Sequence, residues 1–361
     1  MNPQQVITEL QTKGLNLATD NTVGASGRKG GAGPSDHKAV TIGKTTVMVP
    51  VYTDGAAQSP YSVGYEAGQS VLTKNDRVVT ELDFPEKPRF YDLQTADGIP
   101  YWKIALLHSR NVLATTVLQT CIRYENRKTA CQFCAIGQSL EADRTIAQKT
   151  PQQLAEVAEA AVRLDGVENM IMTTGTPNTT DRGAAYLTDC AQAIRARVNL
   201  PIQAQCEPPN DFVWFERMRA AGIDSLGMHL EAADPDVRAR IMPGKARVPL
   251  SYYFKAFAAA IQVFGRGQVS TYLLAGLGDS KETLLEVSQR LINLGVYPFV
   301  VPFVPIGGTP LAHHQPPSSE FMVDLYQSIG QMLKQANLLS SEMKAGCAKC
   351  GACSALSLYE Q

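Results

Sequence analysis

The sequence predicts a parallel α/β architecture of six strand–helix units, with an N-terminal β-rich extension and a C-terminal cysteine-rich tail. Three observations predict it. Apolar runs of strand length alternate with helix-patterned stretches from residue 111 onward. Helix punctuation falls where that alternation needs it, with Thr150-Pro151 opening one helix and Gly295 closing another. Chemistry-bearing residues sit just after the strands, at the carboxyl ends where parallel α/β folds place their chemistry.

The elements are expected in this order. Residues 21–36 are rich in Gly, Ser and Lys/Arg and read as irregular. Strand-like pieces follow at Thr45–Val51, Ser70–Leu72, Arg77–Leu82 and Pro100–Leu107, some separated by the turn signals Asp54-Gly55 and Asp97-Gly98. The barrel begins with Val112–Leu118. A helix with Leu154, Val157, Ala158, Ala161 and Leu164 on one face comes next. Strands Asn169–Met172, Ile202–Cys206, Ser225–Leu230, Val269–Ala275 and Phe299–Val304 then alternate with helices Ala184–Val198, Phe212–Ala221, Ser251–Phe264 and Lys281–Leu294, and helix Glu320–Ala336 follows the last strand. Short right-handed crossovers close such units into an open or closed barrel. Residues 1–110 are expected to cap it, 111–317 to form it, and 318–361 to carry the tail.

Composition narrows the function. The chain has 361 residues, is 44% hydrophobic and carries a formal net charge of −1, so no basic footprint points to nucleic acid or an anionic membrane. No apolar run approaches the roughly 18 residues that span a bilayer. Met1–Leu10 has no apolar signal-peptide core, so a reducing, cytoplasmic setting is expected. The eight cysteines then point to metal or catalysis rather than disulfides.

Six of the cysteines cluster. Cys121, Cys131 and Cys134 lie in C-I-R-Y-E-N-R-K-T-A-C-Q-F-C, directly after the first barrel strand. Three thiolates on one loop suit a cubane iron–sulfur cluster with one iron left open, and zinc completed by a distant His is the alternative. Cys347, Cys350 and Cys353 are spaced C-x-x-C-x-x-C. They suit a second iron–sulfur cluster, a zinc site completed by Cys206 or a His, or metal-free redox cysteines. Cys190 shares a helix face with Leu187, Ala191, Ile194 and Val198 and reads as core. His229 and Glu231 alternate on one strand and so share a face, where buried polar groups need partners or a ligand. Asp279 reads either as part of a ligand-facing glycine turn or as a helix N-cap, with Glu282 three residues on. Ile42-Gly43-Lys44-Thr45 lacks the first glycine of a P-loop. The cationic glycine loop Gly27–Gly33 reads as a lid or a surface segment.

Over about residues 105–315 the chain resembles the radical S-adenosylmethionine (SAM) superfamily, in its biotin synthase and lipoyl synthase-like branch. The cysteine loop, with the aromatic Phe133 before its last cysteine, and the closing segment Pro305-Ile306-Gly307-Gly308-Thr309-Pro310 carry the resemblance. Nine residues separate the first two cysteines where the usual motif has three. The resemblance implies a partial (β/α)6, TIM-like barrel and a [4Fe-4S] cluster whose open iron is chelated by SAM. It implies that Phe133 packs near the adenine. Thr174, Gly175 and Thr176 would meet the SAM amino group, and Glu207, Glu231, Arg240, Lys245, Gly276 and Gly278 would contact the rest of SAM or substrate. His229 and Glu231 are the catalytic candidates beside the three cysteines.

The activity so implied is reductive cleavage of SAM to a 5′-deoxyadenosyl radical, which abstracts hydrogen from a small molecule. A flavodoxin or ferredoxin would supply the electron. The subgroup this most resembles is encoded beside nitrilases, which implies a small nitrogen-containing metabolite. Sulfur insertion from a C-terminal cluster, or a non-catalytic zinc-stabilised binding protein, are the alternatives.

Overall fold

The computed structural model of the chain describes residues 2–17 and 35–361. The Gly27–Gly33 loop lies outside the described residues. Strands β1 (His37–Ile42) and β2 (Thr45–Pro50) form a hairpin. Strands β3 (Tyr61–Glu66), β4 (Gln69–Lys74) and β5 (Arg77–Glu81) form an antiparallel meander.

The remaining strands are β6 (Leu106–His108), β7 (Val112–Thr116), β8 (Asn169–Thr173), β9 (Ile202–Gln205), β10 (Ser225–Gly227), β11 (Val269–Ala275) and β12 (Val296–Pro302). They make one curled sheet, ordered β12-β11-β10-β9-β8-β7-β6 among the described residues. From β7 to β12 each strand pairs parallel with the next, and β6 is an antiparallel edge on β7. The edges β12 and β6 do not pair, so the six expected βα units form a partial barrel.

Local signals explain the helices. Thr150 caps Pro151–Asp165 in a reciprocal capping box with Gln153, and Gly166 ends it with φ 63°. Leu154, Val157, Ala158 and Ala161 are buried as their spacing requires. Helix Lys281–Leu294 has the expected bounds and ends on Gly295 at φ 85°. Its cap, however, is Ser280, which accepts from the Thr283 N–H. The Asp279 carboxylate instead accepts from the backbone N–H groups of Ala233 and Asp234, at 3.0 and 2.7 Å. It ties the loop after β10 to the loop after β11.

Two regions differ from expectation. Pro3–Lys13 is a helix capped by Asn2, with Val6, Ile7 and Leu10 buried against β2 and helix Ser319–Gln335. The stretch Pro100–Leu107 is not one strand. Pro100 starts a helical turn, Tyr101–Ile104, and extended backbone resumes only at Ala105.

The tail closes the bottom of the barrel. Gly346 N–H donates to Asn169 Oδ1 at the start of β8, and Cys347 N–H donates to Gln203 Oε1 on β9. Cys347 and Cys350 pack on Val112, Ala114 and Ile171. Gly346 has φ 109°, and a Cβ there would fall 2.2 Å from the Gln203 side chain, so only glycine lets the tail enter so deeply. From the other side, Gln11 Nε2 and Met48 N–H both donate to the Ala352 carbonyl, at 3.1 and 2.7 Å. Among the described residues no helix is long and apolar enough to cross a membrane.

Candidate functional site

The loop after β7 carries Cys121, Cys131 and Cys134 and is clamped at several points. Ile122 N–H donates to Thr176 O, Gly175 N–H to Leu118 O, and Gln132 N–H to Ile241 O. The loop lies so close to the barrel that a Cβ on Gly175 would fall 2.1 Å from Thr120 O, and one on Gly244 2.4 Å from Thr129 O. The glycine at 175 therefore has a packing reason of its own. Burial pushes the Cys134 thiol up to about 12, and nearby Cys121 and Glu231 add to it. Burial raises Cys131 as well, with Glu231 adding and Lys245 opposing. These thiols stay protonated at neutral pH until a cation replaces the protons. Among the described residues, no three His, Cys, Asp or Glu side chains converge on a single-ion site. A multi-iron cluster does not ask for that, because its cysteines sit on different irons.

Two buried ion pairs stand beside the loop. Lys245 Nζ meets Glu231 Oε2 at 2.8 Å. Burial works against the Lys245 charge, but Glu231, Tyr253, Glu207 and Cys131 together outweigh it and the net shift is upward. Glu231 itself has φ 66°, a left-handed conformation that costs a non-glycine residue about 1–3 kcal/mol and clusters at ligand sites. Arg123 grips Glu207 with two bonds, Nε–Oε1 at 2.6 Å and Nη2–Oε2 at 2.7 Å. The Thr176 hydroxyl donates to the same carboxylate at 2.7 Å. Burial pushes the Glu207 carboxyl upward, yet Arg123, Lys245 and Thr176 together hold it below the usual range. Arg123 was not singled out in the sequence, where it is one cation among several between the cysteines.

Above the tail lies a cavity of about 320 Å³, lined among others by Phe133, Gln205, His229, Glu231, Tyr272 and Cys353. His229 and Glu231 both reach it, as their alternation requires. The Tyr272 N–H donates to His229 Nδ1 at 3.2 Å, and the two rings meet edge to face. Burial pulls the His229 imidazole down to about 3, with the Lys245 charge adding to the shift. Other candidates lie elsewhere. Thr173 lines the cavity, whereas the Thr174 hydroxyl donates to Gly175 O. Arg240 is exposed, with its guanidinium against Gly278. Gly276 has φ 105°, and its carbonyl pairs with His314 Nε2 at 2.8 Å.

Residues 126–291 match the radical SAM superfamily. The match covers less than half of the chain and includes Cys131, Phe133 and Cys134. That superfamily is one of enzymes built on an iron–sulfur cluster and SAM, and the three-cysteine loop with Phe133 fits it. A bacteriochlorophyllide c C-7(1)-hydroxylase from Chlorobaculum limnaeum is 32% identical over 135 residues, 37% of this chain and 33% of that protein. The match spans about a third of that relative's length. The crystal structure of a methylornithine synthase aligns with a TM-score of 0.48 at 18% identity, over 68% of each chain. A radical SAM methyltransferase from Sphaerobacter thermophilus gives 0.48 at 15% identity, over 85% of this chain and 82% of its own.

Below the cavity, each sulfur of the second cysteine group meets a polar side chain. Gln205 Nε2 donates to Cys347 Sγ at 3.0 Å, and the Tyr272 hydroxyl bonds the same sulfur. Ser109 bonds Cys350, and His108 Nε2 lies 3.4 Å from Cys353 Sγ. Neither His108 nor Ser109 carried a signal in the sequence. Cys206 and Cys190 are buried in the apolar core. Cys190 is there as its helix face predicts.

Lys149 supports the cysteine loop from behind. It is 1% exposed, and its Nζ donates to Ile146 O at 3.0 Å and to Gln119 Oε1 at 3.4 Å. Gln119 in turn donates to Ile136 O, two residues past Cys134. Burial pulls the Lys149 ammonium down to about 7. A buried lysine whose pKa falls on folding takes up fewer protons folded than unfolded between pH 7 and about 10.4, so this group adds stability as pH rises. The Tm of the wild type minus that of Lys149→Met is therefore flat below pH 7 and climbs from pH 7 to 10. A difference that falls over that range contradicts the assignment.

Proposed function

We propose that this radical SAM enzyme holds a [4Fe-4S] cluster with one open iron on Cys121, Cys131 and Cys134, and acts on a carbon of a small molecule in the cavity beneath. The observation that carries this is the seating of the loop. Phe133, between two of the cysteines, lines the same cavity as His229 and Glu231. When bound, the cluster and SAM supply one-electron cleavage and a carbon radical that takes a hydrogen atom.

The chain's own residues hold and shield. Lys245 and Glu231 offer a buried cation and carboxylate to the amino-acid end of SAM rather than to the substrate. Phe133, Phe303, Leu274 and Val301 exclude water from the cavity. Arg123–Glu207 fixes the loop. The tail cysteines Cys347, Cys350 and Cys353 would hold a second iron–sulfur cluster, and of the three Cys353 lines the cavity.

A flavodoxin or ferredoxin in the cytoplasm is the proposed reductant. The nitrilase-associated resemblance supports a nitrogen-containing substrate. The test is direct. Anaerobically reconstituted protein given SAM and dithionite is expected to form 5′-deoxyadenosine, read by mass spectrometry. A brown, iron-loaded preparation that forms none under any substrate condition defeats the reading.

A further inference from the structure

Two residues that line the cavity each carry a buried polar atom that no described residue answers, and the two atoms are of opposite kind. His229 Nε2 is buried without a partner. Because its Nδ1 accepts from Tyr272 N–H, the neutral ring must carry its proton on Nε2. His229 is therefore a fixed donor. Gln11 Oε1 is likewise buried without a partner, on a residue only 2% exposed. Its Nε2 donates to the Ala352 carbonyl, which forbids a flipped amide. Gln11 is therefore a fixed acceptor.

Both residues line the same cavity. Leaving a buried donor or acceptor unpaired costs about 1–3 kcal/mol each, which a ligand that answers both recovers. The lining's one carboxylate, Glu231, is matched by Lys245, and no Lys or Arg is among the lining residues described. The rest of the wall is largely apolar, including Met48, Phe133, Leu274, Val301 and Phe303. Such a site penalises a charged ligand, whose ion would be desolvated without a counter-ion.

We infer that the cavity takes an uncharged, mostly apolar substrate that presents an acceptor to His229 Nε2–H and a donor to Gln11 Oε1, a carboxamide being the simplest group with both. Gln11 comes from the N-terminal helix, outside the residues that match the radical SAM superfamily. That places it with the substrate rather than with SAM. Calling the ligand a substrate rests on the function proposed above.

The test uses full-length, anaerobically reconstituted protein with saturating SAM. Three probes on one skeleton are titrated by saturation-transfer NMR: cyclohexanecarboxamide, cyclohexanecarboxylate and cyclohexylmethylammonium. The carboxamide is expected to bind at least about tenfold more tightly than either charged probe. His229→Phe and Gln11→Leu are each expected to weaken it about three- to tenfold. Equal binding of all three, preference for a charged probe, or no carboxamide binding overturns the inference. The wild-type ranking decides without the variants should either misfold. Formation of 5′-deoxyadenosine is read in the same preparation. Its failure sinks the enzymatic reading alone, and a wrong probe ranking sinks the ligand class alone.

Discussion

Cys131→Ala abolishes reductive cleavage of SAM, whereas replacing Cys347, Cys350 and Cys353 together by alanine removes about half the iron and leaves cleavage in place. Cys131 lies in the loop beside Glu231 and Lys245, and its side chain packs with Ile241, Met242 and Leu277. Alanine fills that space without a clash but withdraws one of three thiolates, and a cubane held by two cysteines is lost. The tail cysteines sit below the cavity on the Gln205, Tyr272, Ser109 and His108 side. Their removal takes the second cluster, from about eight irons per chain to about four. Iron analysis and 5′-deoxyadenosine yield on the same samples check both. Cleavage surviving in Cys131→Ala, or full iron retained in the triple variant, contradicts the assignment.

Arg123→Met lowers stability by about 3–5 kcal/mol, because it leaves the Glu207 carboxylate buried with its main counter-charge gone. For a chain of this size the Tm falls by about 4–7 °C. The pH dependence follows from the sign of the shift. In the wild type Glu207 is held below its usual range, so its stabilising effect is present above about pH 4.3 and is lost as pH falls through the lowered folded value. In the variant the lowering by Arg123 is gone, so burial is opposed only by Lys245 and Thr176 and the carboxyl rises relative to the wild type. The gap between the two proteins is therefore widest near neutral pH and narrows below pH 4. Adding Glu207→Gln to the variant restores part of the loss by removing the stranded charge. A Tm change under about 2 °C, or no recovery in the double variant, shows that the pair does not hold the loop.

Much of the barrel was legible because its signals are local. Thr150, Pro151 and Gln153 lie within one turn, and Gly295 sits directly at its helix end. Strand Val269–Ala275 has its expected bounds because it is a mostly buried run between a Gly-containing turn and Gly276. The N-terminal helix Pro3–Lys13 was legible in principle, through the cap Asn2, Pro3 and the Val6, Ile7, Leu10 spacing. The glycine-rich stretch and strand pieces after it set the texture of the region and mask this helix. Asp279 misled for a different reason. A carboxylate before a helix resembles a cap, but its partners at Ala233 and Asp234 come from another strand's loop.

By itself the sequence determined the alternation that makes the partial barrel, the cysteine spacing from which a cluster site is proposed, and the shared face of His229 and Glu231. Those features depend on residues a few positions apart, where periodicity and spacing act. Only the tertiary structure decided that Arg123 meets Glu207, that His108 meets Cys353, and that Gln11 and His229 line one cavity. These partners are separated by 84, 245 and 218 residues. No local pattern encodes such a meeting, because it is the packing of the tail and the N-terminal helix against the sheet that brings the groups together.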